Sequence, residues 1–152
     1  MTPGGSKKQN ILPAISRILV ATDFSPQAEM ALKWARRLAD QFGARIVLLH
    51  VVDVCALGAA GFALVGPGAL PAMLTEAQRE MQRWQEMVPD AEVLIREGEP
   101  RPLIVDAALE LKCQLIVMGT HGRSGLAHLL MGSVAEYVVR YSRVPVLTVR
   151  RH

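Results

Sequence analysis

Three glycines crowd the stretch Met118-Gly119-Thr120-His121-Gly122-Arg123-Ser124-Gly125, and a fourth, Gly132, stands directly before Ser133. The stretch follows Leu115 to Met118, a short apolar run that reads as a buried strand, and Ser133 to Tyr141 reads as a helix. Glycines at a strand end permit a sharp turn or a close approach of backbone to ligand. The first turn of a helix carries unpaired N–H groups and a partial positive charge, so the chemistry on offer is anion binding, above all phosphate. Gly119, Gly122 and Gly132 would let backbone amides reach phosphate oxygens, and the Ser133 hydroxyl would add a donor. A ligand-free reading stands beside this one: Ser133-Val134-Ala135-Glu136 fits a capping box, which would satisfy the helix end by itself.

The two commoner phosphate loops are excluded. No Gly-Lys pair occurs anywhere in the chain, so there is no P-loop. The dinucleotide fingerprint Gly-x-Gly-x-x-Gly is missing too, and its usual place after the first strand reads Thr22-Asp23-Phe24-Ser25. The remaining candidates for chemistry are His50, His121, His128, Asp23 and Arg123. They assemble into no Ser-His-Asp or Cys-His order. His50 lies within a buried strand and reads as a hydrogen-bonded core histidine. His128 has no companion at metal-ligand spacing, so no catalytic group and no metal ligand is assigned.

These residues need a scaffold, and strands alternate with helices from Arg17 to Arg150. Residues 18–21 form a buried strand. Ser25-Pro26 offers an N-cap and a first-turn proline, and apolar residues at 28, 31, 32, 35, 38, 39 and 42 make one helical stripe ending at Gly43. A second strand covers 46–52, and a long apolar loop runs from Asp53 to about Pro71. A second helix carries Met73, Ala77, Met81, Trp84 and Val88. A third strand (91–96), a helix over Pro100 to Lys112, the fourth strand, the helix at Ser133 and a fifth strand over Val144 to Val149 complete the order. Such alternation predicts an α/β fold: an open doubly wound five-stranded parallel sheet with helices on both faces, Rossmann-like. Ligands of such sheets bind at the carboxyl ends of strands where the strand order reverses.

The chain has 152 residues, half of them hydrophobic, with a net charge of +3 and 5% aromatics. That length suits one domain, expected over 16–152, with residues 1–15 as a flexible tail. A mild basic excess with few aromatics argues against nucleic acid. Cys55 and Cys113 are too few for a disulfide framework, which points to a reducing compartment. No apolar run of about 18 residues escapes interruption by Gly or Pro, and no signal peptide is evident, so the expected location is the cytoplasm.

The spacing Gly119-x-x-Gly122, nine residues, then Gly132-Ser133 resembles the nucleotide motif of the ATP-binding universal stress proteins. The likeness extends along the domain: Ile18-Leu-Val-Ala-Thr-Asp23-Phe-Ser25, Leu49-His50-Val51, Gly98-Glu-Pro100, Leu115 to Gly122 and Val144-Pro145-Val146-Leu147 each resemble a landmark of that family. Some members of that family lack the glycine spacing and do not bind ATP; this sequence keeps it. The resemblance implies that Asp23 lies near the ribose or adenine, and that Val51 contacts the adenine with Met118, Ala21 and Thr22 alongside. Gly119, Gly122, Gly132, Ser133 and Val134 would hold ribose and phosphates, and Arg123 would meet the terminal phosphate or solvent. ATP implies Mg²⁺ held mainly by phosphate oxygens and water. The resemblance also implies a homodimer paired through the strand Val144–Val149. The expected role is a non-catalytic stress-response or signalling module; the alternative is a slow ATPase or a nucleotide-transferring enzyme of the same fold. Two departures stand out. Cys113-Gln114 replaces a small residue and an acid, and the loop from Asp53 to Pro71 is rich enough in Gly, Ala and Leu to be a lid, a dimer surface or a tether.

Overall fold

The structure, a computed structural model, describes residues 12–122 and 131–150. Five strands form one sheet in the order β3-β2-β1-β4-β5, and every neighbouring pair is parallel. They are β1 (Arg17–Ala21), β2 (Arg45–Asp53), β3 (Glu92–Gly98), β4 (Leu115–Gly119) and β5 (Val146–Val149). The helices described are α1 (Pro26–Phe42), α2 (Gly58–Val65), α3 (Ala69–Met87), α4 (Pro100–Glu110) and α5 (Ser133–Tyr141). The expected doubly wound α/β fold is present. Among the described residues, no single helix is long and apolar enough to cross a membrane.

Alternation along β1 divides the core. Ile18 and Val20 point to one face, where α1 and α3 bring Ala31, Leu32, Ala35, Met81 and Trp84. Leu19 and Ala21 point to the other, against Ile104, Ala107 and Ala108 of α4 and Ala135 and Val138 of α5. Each fully buried aliphatic side chain stabilises by roughly 1.5–3 kcal/mol, so two covered faces explain why β1 is apolar at every position from Ile18 to Ala21, with Arg17 at its less buried start. Gln114 clasps the start of the sheet: its Oε1 accepts from Ser16 N (2.9 Å), Ser16 Oγ (3.0 Å) and Arg17 N (2.9 Å). A glutamine supplies the acceptor an acid would, and its Nε2 also donates to Lys112 O (2.7 Å). Ile15 packs against the core, whereas residues 1–11 of the expected tail lie outside the described residues.

The ends of α1 match their sequence signals. Ser25 Oγ accepts from Ala28 N (3.2 Å), and Gly43 adopts φ 65° at the C-terminus. Three expectations need correction. The stretch from Asp53 to Pro71 is not a loop throughout: α2 occupies its middle and α3 begins at Ala69. Its alanines and leucines are strong helix formers, and Gly58 and Gly66, at φ 61° and 79°, bracket the helix rather than break it. Next, β5 begins at Val146, because Ser142 Oγ donates to Val144 O (2.7 Å) and accepts from Val144 N (3.1 Å), folding that residue into a turn. Finally, no capping box forms on α5. Gly132 is the N-cap, Ser133 is the first helical residue, and Glu136 pairs with Arg140 (3.0 Å) instead.

Candidate functional site

The strand order reverses between β1 and β4, and a cleft opens there at the carboxyl ends of the strands. It encloses about 730 Å³ of space, its open mouth included. Ala21, Thr22, Asp23, Val51, Met118, Gly119, Gly122, Gly132, Ser133 and Val134 all line it, drawn together from three strand ends and one helix. Arg123 and His128 lie outside the described residues.

One side is aliphatic. Ala21, Leu49, Val51, Ile104 and Met118 form a slot without a charged group. The other side is built from turns whose own hydrogen bonds fix its shape. Thr22 Oγ1 accepts from Phe24 N (2.9 Å), Asp23 Oδ1 from Ser25 N (3.0 Å), and Ser25 Oγ from Ala28 N. These successive contacts hold Phe24 at φ 64° and start α1. Asp23 therefore initiates the turn and also presents Oδ2 toward the glycine turn, where a Cβ on Gly122 would sit 2.6 Å from it.

Gly119 makes room for protein: a Cβ there would meet Gln27 Cβ at 3.1 Å and the backbone N of Ala28 at 3.3 Å. The first turn of α1 thus rests against the end of β4. Gln27 Oε1 accepts from His121 N (2.9 Å), and Thr120 N donates to Val149 O (3.0 Å). Gly132 N donates to Thr120 O (2.6 Å), so its amide is committed to joining the two arms of the turn. Gly132 contributes closeness rather than a donor, since a Cβ would lie 3.1 Å from that same oxygen. The amides that precede the first intrahelical bond of α5, from Glu136 N to Gly132 O (2.9 Å), are those of Ser133, Val134 and Ala135, all at the cleft. Among the described residues no side chain caps this end, which leaves its donors and its partial positive charge facing the cleft, a setting suited to an anion.

His50 is half-buried, with Nδ1 2.8 Å from Thr22 O and its ring 4.3 Å from that of Phe24. A carbonyl only accepts, so Nδ1 carries the proton, and the ring supports the turn beneath Asp23; the expected hydrogen bond is there, but the ring stands at the edge of the core rather than within it. His121 Nδ1 is 3.0 Å from Thr120 Oγ1 at the cleft lip. Among the described residues no cluster of three or more His, Cys, Asp or Glu side chains could hold a metal ion. Leu49, Ile104 and Gln27 escaped the sequence reading as site residues. The first two carry only a core signal, and Gln27 acts on His121 across 94 residues, which no local pattern announces.

Comparison with known proteins places this architecture in context. The universal stress protein family model matches residues 14–150. The chain is 36% identical over 141 residues to universal stress protein MJ0531 of Methanocaldococcus jannaschii, spanning 89% of this chain and 82% of that one. It is 33% identical over 153 residues to universal stress protein MJ0577 of the same organism, spanning 89% and 94%. The solved structure of MJ0577 superposes with a TM-score of 0.82 at 30% identity, over 92% of this chain and 99% of that one. A universal stress protein solved in complex with cAMP matches with a TM-score of 0.60 at 27% identity, over 90% and 98%. With the family pattern running from Ile18 through Val149 on the matching sheet, the chain belongs to the universal stress protein family.

Proposed function

We propose that this protein binds ATP in the cleft between β1 and β4 and works as a non-catalytic, nucleotide-dependent module in stress response or signalling. The observation that carries the reading is the pairing of an aliphatic slot with an α5 N-terminus that has no side-chain cap. An adenine fits between Val51, Met118 and Ala21, whose alkyl surfaces suit a purine face. Asp23, the one carboxylate among the described lining residues, accepts from a ribose hydroxyl. The amides of Gly122, Ser133 and Val134 take phosphate oxygens. The relative bound to cAMP, an adenine nucleotide with a phosphate, supports the ligand class.

Mg²⁺ suits this donor set when phosphates and water supply most of its ligands. Asp23 Oδ1 is engaged by the turn at Ser25 N, so the cleft positions its carboxylate for binding rather than for activating water. Two free thiols, Cys55 and Cys113, fit a reducing cytoplasm. β5 is an edge strand, and we propose that it pairs with β5 of a second copy to make a homodimer.

Native mass spectrometry of the purified protein tests the ligand directly, and Mg-ATP titration tests it by stability. A ligand that binds only the folded state raises stability by about 2.7 kcal/mol at 100 times its dissociation constant. No carried nucleotide and no stabilisation by ATP, ADP or AMP would overturn the proposal. Stoichiometric hydrolysis of labelled ATP within minutes, in a single turnover, would establish the enzymatic alternative instead.

A further inference from the structure

Helix α1 buries Ala28, Ala31, Leu32, Ala35 and Ala39 against the sheet, but Leu32 is the only large side chain among them, and Met30, Trp34 and Phe42 lie outside that face. Met30, Trp34, Leu38 and Phe42 recur every fourth residue along one flank. Met30 is 37% exposed, Trp34 48% and Phe42 49%. Glu29, Lys33, Arg36 and Asp40 take the opposite flank, while Arg37 projects about 60° from Trp34, on the solvent side of the apolar row. At 3.6 residues per turn, Gln27 projects within about 20° of Trp34, and Gln27 reaches the His121 amide just beyond β4. Arg36 and Asp40 face the other way, into a groove with Ile46 of β2 and Met87 of α3. The apolar flank therefore overhangs the β5 edge of the sheet.

Resting on the β5 dimer proposed above, we infer that a second copy of this chain docks on this flank, with Trp34 as its anchor. β5 has four residues and pairs on one side with β4. So short a seam falls well below the roughly 800 Å² per partner of a stable interface, so flanking surface has to contribute. Antiparallel pairing of β5 with its copy sets a two-fold axis through the sheet and leaves both α1 helices on the same face. α1 packs chiefly over β4, which at about 4.8 Å per strand places it about 7 Å from the seam and about 14 Å from its copy. Helices in direct contact stand about 8–10 Å apart, so large side chains from both flanks must fill the difference. Tryptophan, phenylalanine and methionine are the side chains that span such a gap. On the opposite face α5, joined to β5 by residues 142–145, exposes Val139 (48%) and Tyr141 (55%) beside the same edge.

Sedimentation velocity of the full chain from nanomolar to tens of micromolar tests the docking, with Trp34→Ala as the variant and Leu64→Ala on α2 as control. The wild type should dimerise, Trp34→Ala should weaken the dimer about 30-fold or more, as an interface anchor does, and Leu64→Ala should leave it unchanged. Trp34 emission, taken as the difference from Trp34→Phe, should shift to the blue as the dimer forms, while buried Trp84 contributes a constant background. A dimer that Trp34→Ala weakens less than twofold overturns the docking and leaves β5 pairing standing. A wild-type chain that stays monomeric throughout overturns both.

Discussion

Gly122→Ala adds a single methyl group where the Asp23 carboxylate meets the glycine turn. Gly122 is not among the glycines held at positive φ, so alanine costs nothing in backbone strain and acts through its Cβ. That atom would lie 2.6 Å from Asp23 Oδ2, so the carboxylate must retreat by roughly 1 Å to reach ordinary contact. Its Oδ1 then leaves Ser25 N, now 3.0 Å away, at a cost to folding of about 1 kcal/mol for this half-exposed bond. Nucleotide affinity should fall further, because a ribose hydroxyl loses a charged acceptor worth about 1.5–3 kcal/mol, or roughly 10- to 150-fold. Isothermal titration with Mg-ATP reads the affinity, and urea denaturation verifies that the variant is folded. Asp23→Ala should show a loss of similar size. A folded Gly122→Ala that binds ATP within twofold of wild type would refute the role given to the carboxylate. So would a weakened Gly122→Ala beside an unaffected Asp23→Ala.

Three further outcomes follow from the geometry. Gly98 sits at φ 143° with Leu103 Cδ1 2.8 Å from where a Cβ would be, so Gly98→Ala should cost about 1–3 kcal/mol in urea unfolding. Ser133 caps nothing, so Ser133→Ala and Glu136→Gln should each change stability by less than about 0.5 kcal/mol, against about 1 kcal/mol for loss of a working cap. Burial pushes the Cys113 thiol up from its ordinary range, with Arg17 opposing the shift. Its thiolate is therefore scarce at mildly alkaline pH, and thiol titration of the native protein should find Cys55 reacting fast and Cys113 reacting only after denaturation.

Much of the scaffold was legible because local rules and global packing agree. Ile18 to Ala21 is apolar at every position, as a strand covered on both faces requires, and Ser25-Pro26 with Gly43 marks both ends of α1. The cleft residues were legible as a set through the family resemblance, and the rule that strand ends converge where the order of a parallel sheet reverses said only where to look. What escaped was contextual. α2 went unseen because its glycines read as breakers, although they stand at its ends and within it without disrupting it. Ser133-x-x-Glu136 carries the letters of a capping box, but the preceding backbone makes Gly132 the cap by bonding its amide to Thr120 O. No sequence pattern says which glycine admits a ligand and which admits a helix; Gly119 faces α1 and Gly122 faces Asp23.

The central place of β1 also sets a timetable. Its partner on one side, β2, follows it closely, but Gln114, which ties Arg17 to the start of β4, lies 97 residues further along. At about 5–20 residues per second, synthesis takes roughly 5–20 s to cover that distance. Throughout that interval Ile18, Leu19 and Val20, wholly buried in the finished fold, keep one backbone edge unpaired. β5 emerges after β4, so the dimer seam proposed for β5 has to wait until the cleft already has all of its strands.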